Sequence, residues 1–323
     1  MKPSVNSFIL ILFIAISAGI FTLANRPKTL GLFINEPETQ WTLVVTGDVM
    51  LGRAVNSQTL KYNDFNWAFK NISSTLSFAD IAFINLENPL VENCPRKLDG
   101  MIFCGDLRHA KAIADAGIDV ASLANNHTMN YGRSGLNQTV SILESNGIVP
   151  IGVTNPTYLN VKNMKIAFLG YTDIECKENG SRCVNEDLIK KDIKESKLNS
   201  DMVIIMYHWG NEYRDIPSAR QIALAHMSID EGADLILGNH PHWVQTLEEY
   251  KGKIILYSHG NTIFDQMWSE KTREGIISKF IISKNKIIST EIIPTYIEDY
   301  GQPIILDKNS TRAKNILCRI TSC

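Results

Sequence analysis

Clustered basic residues are missing from this 323-residue chain: 32 Lys and Arg stand against 34 Asp and Glu, for a net charge of −2. Without a dense cationic patch to neutralise phosphates, a nucleic-acid partner is excluded from the reading. Internal repeats and low-complexity tracts are absent as well. The six cysteines lack the close Cys-x-x-Cys hooks of a structural zinc site. Histidine is scarce, with seven in all, so the places where histidines gather carry weight. The rest is ordinary for a globular body. Hydrophobic residues make up 44% and charged residues 20%, and the length beyond the N-terminal segment suffices for one large core.

Two of the seven histidines fall in Gly238-Asn239-His240-Pro241-His242, just after the apolar run Ala233–Leu237. Two imidazoles around a proline, delivered where a strand stops, are placed to grip a metal ion, because proline restricts both its own φ and the residue before it. Solvated or hydrogen-bonded loop histidines are the alternative. Four more β-branched runs end in metal-capable side chains. Leu43–Thr46 leads to Asp48, Ile81–Ile84 to Glu87, Val120–Ala124 to Asn126 and His127, and Val203–Met206 to His208. Strand carboxyl ends lying side by side in an α/β sheet form a common crevice. Mixed N and O donors of this kind suit Zn, Mn or Fe better than Ca or Mg.

The strings TGDVMLGR (Thr46–Arg53), NLENPL (Asn85–Leu90), SLANNHTMNYG (Ser122–Gly132), YHWGNEY (Tyr207–Tyr213) and the run from Gly232 to Asn261 resemble the CapA family. These are poly-γ-glutamate capsule biosynthesis proteins, a branch of the calcineurin-like metallophosphoesterase superfamily. The resemblance spans about residues 41–265. It implies a four-layer αββα sandwich and one or two divalent metal ions. Asp48, Glu87, Asn126, His208, His240 and His242 would be the ligands and His127 the proton donor to a leaving group. Met50 stands where the superfamily has an imidazole ligand, and thioether is a poor ligand for such ions. His259 and Thr262, flanking Asn261, depart from the family's YSLGNF string and put the substrate pocket in question. Arg53 and Asn261 are the candidate substrate contacts, although Arg53 also reads as a surface cation on a loop. The resemblance implies either hydrolysis of a phosphoester or anionic polymer, or a non-catalytic part in a capsule synthesis or export assembly with membrane-protein partners.

Phe8–Ala24 carries no charge and is flanked by Lys2, Arg26 and Lys28. It exceeds the about 7–15 residues of a signal-peptide core and falls short of the about 20 of a spanning helix. The expectation is an N-terminal apolar helix that anchors an extracytoplasmic body. Cleavage after Thr22-Leu23-Ala24, giving a secreted or periplasmic protein, is the alternative. Three pairs of cysteines close in sequence, 94 with 104, 176 with 183 and 318 with 323, fit an oxidising compartment. The expected order is a signal or anchor at 1–25, a linker at 26–40, an α/β body at 41–306 and a tail at 307–323. Helices are expected over Gly135–Asn146 and Pro217–Glu231. His109 and His226 read as structural.

Overall fold

The computed structural model describes residues 39–321, apart from 155 and 177–179. The apolar segment 8–24, and with it the anchor and cleavage expectations, lies outside the described residues. Among the described residues no helix is long and apolar enough to cross a membrane.

Alternation of side chains along the strands builds the layers. In the strand Gln40–Val49, Leu43 and Val45 face a core shared with a second sheet, while Val44 faces the opposite way. That period of two is what a pleated strand buried on both faces requires. The first sheet has eight strands and the second six. Phe83 of Ile81–Leu86 and Phe168 of Met164–Thr172 meet edge to face at 5.5 Å between the sheets. Burying one such ring is worth about 1.5–3 kcal/mol. On the outer face of the first sheet, Leu76, Ile113, Leu136 and Leu143 of three helices pack against Val44, Ala82 and Ile84. On the outer face of the second, Ile189, Ile193, Leu224 and Ile229 cover Leu169, Val203 and Ile236. The order is therefore helix, sheet, sheet, helix. The helix Ala219–Glu231 begins at a capping box of Ser218 and Gln221 and stops at Gly232, whose φ of 119° suits glycine.

Each sheet has a parallel centre. Gln40–Val49, Ile81–Leu86, Val120–Ser122 and Val149–Ile151 run parallel in one. Met164–Thr172, Met202–His208, Leu235–Asn239 and Lys253–Leu256 do so in the other. Four of these strands are entered through an aspartate with the same clamp. The Asp80, Asp119, Asp201 and Asp234 carboxylates accept the Thr42, Ala82, Lys165 and Val203 amides at 2.8, 2.8, 2.7 and 2.9 Å. Each aspartate's own amide donates back to the carbonyl of that same neighbour. Every parallel pair so entered starts in a fixed register.

The C-terminal run rich in isoleucine forms the antiparallel pair Glu274–Ser283 and Lys286–Asp299. The segment beyond Asp307, expected as a separate tail, instead folds as the helix Thr311–Thr321. Its Ile316 and Ile320 pack with Val244, Leu256 and Ile276 of the body. Cys94–Cys104 and Cys176–Cys183 are disulfides, as expected; the third pairing ends at Cys323, outside the described residues.

Candidate metal centre

Carboxyl ends of strands from both sheets open on one crevice. In the first sheet Asp48 lies opposite Asn85 across one parallel pairing and opposite Asn261 across another. In the second, His208 lies opposite Asn239, the residue before His240. Register thus brings Asp48 beside Asn261, residues far apart in the chain. Two glycines permit the approach. A Cβ on Gly47 would stand 2.0 Å from the Gly260 carbonyl oxygen, and one on Gly238 1.9 Å from that of Tyr257.

The donors gather in two groups. Asp48, Glu87 and His208 offer one ligand atom each within 4.8 Å of one another, and so do Glu212, His240 and His242. The groups touch: His242 Nδ1 is 3.3 Å from Asp48 Oδ2, and the His240 amide donates to that same oxygen at 3.2 Å. Asp48, Glu87, His208, His240 and His242 are all buried. Glu87 Oε1 and His240 Nδ1 have no hydrogen-bond partner. Buried polar atoms left unpaired cost free energy unless something else satisfies them. A set of carboxylate oxygens, imidazoles and one carboxamide fits a divalent cation, and these two orphaned atoms are where one would be felt.

Hydrogen-bond arithmetic fixes the amides and rings around the crevice. The His127 amide can only donate, and it reaches Asn125 Oδ1 at 3.1 Å. Asn125 Nδ2 therefore donates to Asn85 Oδ1 at 3.1 Å, and Asn85 Nδ2 to Asp48 Oδ1 at 2.7 Å. The Asn85 NH₂ faces His208 Nδ1 at 3.3 Å, which leaves His208 Nε2 to donate to Asn126 Oδ1 at 3.0 Å. Asn126 Nδ2 then donates to His127 Nε2 at 3.2 Å, and His127 Nδ1 donates to Asn130 Oδ1 at 3.1 Å. Sequence reasoning singled out Asn126 and His127 but missed Asn85, Asn130 and Glu212. Each of the three lay inside or beside a string already quoted, with no signal to separate it from loop polar residues.

Charge follows burial. Burial opposes ionisation of Asp48, yet the His242 hydrogen bond and charge, helped by His208 and Asn85, hold its pKa at about 2. Burial, followed by the Asp48 charge, pushes the Glu87 carboxyl well above the usual range. Burial lowers His240 to about 3 and His127 to about 4, and takes His208 well below its ordinary value. His127 is therefore a neutral imidazole at pH 7, its Nδ1 donating to Asn130 and its Nε2 accepting from Asn126. Its ring stacks on Phe103 at 3.9 Å.

Several expectations change here. His240 and His242, on either side of Pro241, have φ of 95° and 57°. Left-handed backbone in non-glycine residues costs about 1–3 kcal/mol each and gathers at functional sites. Met50 is no ligand: its sulfur accepts the Gly52 amide at 3.0 Å and its side chain packs with Phe103 and Phe264. Arg53 is not a surface cation. Its side chain is only 8% exposed, paired with Asp265, donating to the Gly100 carbonyl at 3.0 Å and lying 4.6 Å over Phe103. Asn261 is likewise held by the protein's own groups. Its Nδ2 donates to the Thr272 carbonyl at 2.8 Å and to Gln266, and its Oδ1 faces His242 Nδ1 at 2.9 Å. His259 bonds the Gly238 carbonyl and Ser278, and Thr262 accepts the Gly47 amide. These two departures alter the frame beneath the crevice, not its pocket. His109 and His226 are structural as expected, held by Asn56 and by Glu248 with Tyr250.

Comparison with known proteins follows the same lines. The chain is 32% identical over 314 residues to the capsule biosynthesis protein CapA of Bacillus anthracis, covering 89% of this chain and 76% of that one. It is 30% identical to the PGA biosynthesis protein CapA of Bacillus subtilis strain 168, covering 85% and 76%. Its fold is that of a crystal structure described as a novel phosphatase from Mycoplasma pneumoniae, with a TM-score of 0.59 at 14% identity, covering 81% of this chain and 96% of that one. Residues 42–266 match the family described as bacterial capsule synthesis protein PGA_cap, and the chain belongs to that family.

Proposed function

We propose that this protein acts in capsule formation as a metal-dependent hydrolase, cleaving a phosphoester or a bond of an anionic polymer outside the membrane. The observation that carries the reading is the buried convergence of Asp48, Glu87 and His208, with Glu87 Oε1 left without a partner. Asp48, Glu87, Asn126, His208, His240 and His242 would hold one or two divalent ions. The donor chemistry favours Mn, Zn or Fe. A bound ion supplies positive charge that polarises water and neutralises charge building on the phosphoryl or carboxyl oxygens. His127 moves a proton at Nε2, its ring oriented by Asn130 on one side and Phe103 on its face. Arg53 and Asp265 hold Phe103 and the adjoining loop in place. The two disulfides support an oxidising, extracytoplasmic location, and the segment 8–24 supports attachment to the membrane near the capsule machinery.

Met50, turned into the core, favours a second reading in which the centre binds polymer within a synthesis or export assembly without turning it over. Metal content of the purified full chain, with hydrolysis of a generic phosphodiester before and after chelation, separates the two. Bound metal with chelator-sensitive turnover is the expected result. A folded chain with no metal and no turnover would replace the hydrolase with the assembly role.

A further inference from the structure

We infer that Glu212, on the loop after the strand Met202–His208, is a cation ligand shared with His240 and His242; the inference rests on the metal centre proposed above. Hydrogen bonding at His242 leads there. The Thr272 carbonyl can only accept, so it takes Asn261 Nδ2 at 2.8 Å and turns Asn261 Oδ1 toward His242 Nδ1 at 2.9 Å. Nδ1 of His242 is therefore taken up as donor to Asn261, which leaves Nε2 as the other ring nitrogen. That nitrogen lies 3.9 Å from Glu87 Oε1 and 3.9 Å from Glu212 Oε1. An imidazole nitrogen placed between two carboxyl oxygens is a donor set that a divalent cation can draw together.

The spacing suits a metal. Metal bonds to imidazole nitrogen and carboxylate oxygen are about 2.0–2.2 Å, so two ligand atoms of one ion stand no more than about 4.4 Å apart, and His242 Nε2 meets that with both oxygens. His240, whose buried Nδ1 has no partner, belongs to the same group. Glu212 does not reach this place by drifting on a free loop. The Trp209 amide donates to the Asn239 carbonyl at 3.1 Å and the Tyr213 amide to the Pro241 carbonyl at 2.8 Å. Both ends of the segment that carries Glu212 are thus tied to the turn that carries the two histidines. Tyr213 adopts a φ of 59° to make the second tie. A carboxylate one-third exposed also leaves that side of the ion open to solvent and substrate, while Glu87 closes the buried side.

The test uses the full chain in detergent, stripped of metal and titrated with Mn²⁺ and, separately, Zn²⁺, with bound metal counted after gel filtration. In Glu212→Gln one equivalent should bind at least about 10-fold more weakly than in the unaltered chain, with Glu212→Asp between them. The unfolding midpoint of the metal-free variant should match that of the unaltered chain, since the side chain is not part of the core. Equal stoichiometry and affinity in Glu212→Gln would overturn the inference alone. An unaltered chain that binds neither ion would overturn the metal centre and this inference together.

Discussion

Both ends of the two sheets are lined with acids, and the ends treat them in opposite ways. Where the parallel strands begin, Asp80, Asp119, Asp201 and Asp234 each accept a backbone amide. Asp234 also takes Lys197 and Lys253 at 3.0 and 2.7 Å. Where the strands finish, Asp48 and Glu87 are more deeply buried, and Glu87 Oε1 is the one buried carboxylate oxygen without a hydrogen bond among the described residues. An acid with its acceptor sites matched by fixed donors is a fastener. One with an acceptor left open inside a ring of imidazoles is prepared for something that comes and goes. Satisfaction of the group, more than burial or charge, separates architecture from chemistry in this protein.

That contrast can be broken most decisively at the finishing end. His240→Ala combined with His242→Ala should remove most bound metal while leaving a folded chain, checked by metal analysis beside circular dichroism; unchanged stoichiometry would mean the imidazoles are framework too. His127→Asn should keep the metal and lower any hydrolytic rate by about 10²–10⁴-fold, read as turnover at saturating metal. Loss of metal in that variant would make His127 a ligand instead.

The beginning end should answer in stability alone. Asp234→Asn removes the charge that two lysines share and weakens the Val203 clamp, for an expected loss of about 1–3 kcal/mol by denaturant unfolding. Metal content should not change, and a fall in it would blur the division between the two ends. The smallest effect concerns pH. Burial raises the Asp119 pKa above its ordinary value of 3.8, against the pull of the Ala82 amide. Its contribution is therefore fully present below the unfolded pKa and fades as pH rises through the higher folded value. Asp119→Asn should flatten that part of the stability curve, seen as a difference in Tm between the two proteins that shifts across this window. A constant difference would show that Asp119 does not titrate apart from its clamp.

Much of this was legible in the residues because burial on both faces writes itself as apolar runs. The runs Ile81–Ile84 and Val203–Met206 lie within strands Ile81–Leu86 and Met202–His208, and Glu87 and His208, which follow them, do converge. The clamps were present in the sequence as an aspartate before each of four runs. Their meaning depends on which strand lies alongside, and that pairing is not local. The partners that hold Arg53 and Asn261 were hidden for a related reason. A polar residue next to a site looks the same in sequence whether it faces the crevice or braces it, and only Asp265 and Thr272, contributed from elsewhere in the chain, decide. The helix Thr311–Thr321 escaped because its apolar stripe is short, with Ala313, Ile316 and Ile320 its buried residues.

The left-handed backbone of His240 and His242 has a bearing on any attempt to make this protein sturdier. Glycine fits both conformations without strain, so an engineer who screened only for heat resistance would be drawn to those two positions first and would be rewarded there. The sturdier protein so obtained would have lost its imidazoles. Hardiness and chemistry compete for the same turn, and gains sought at the strand entrances, far from it, need not incur that loss.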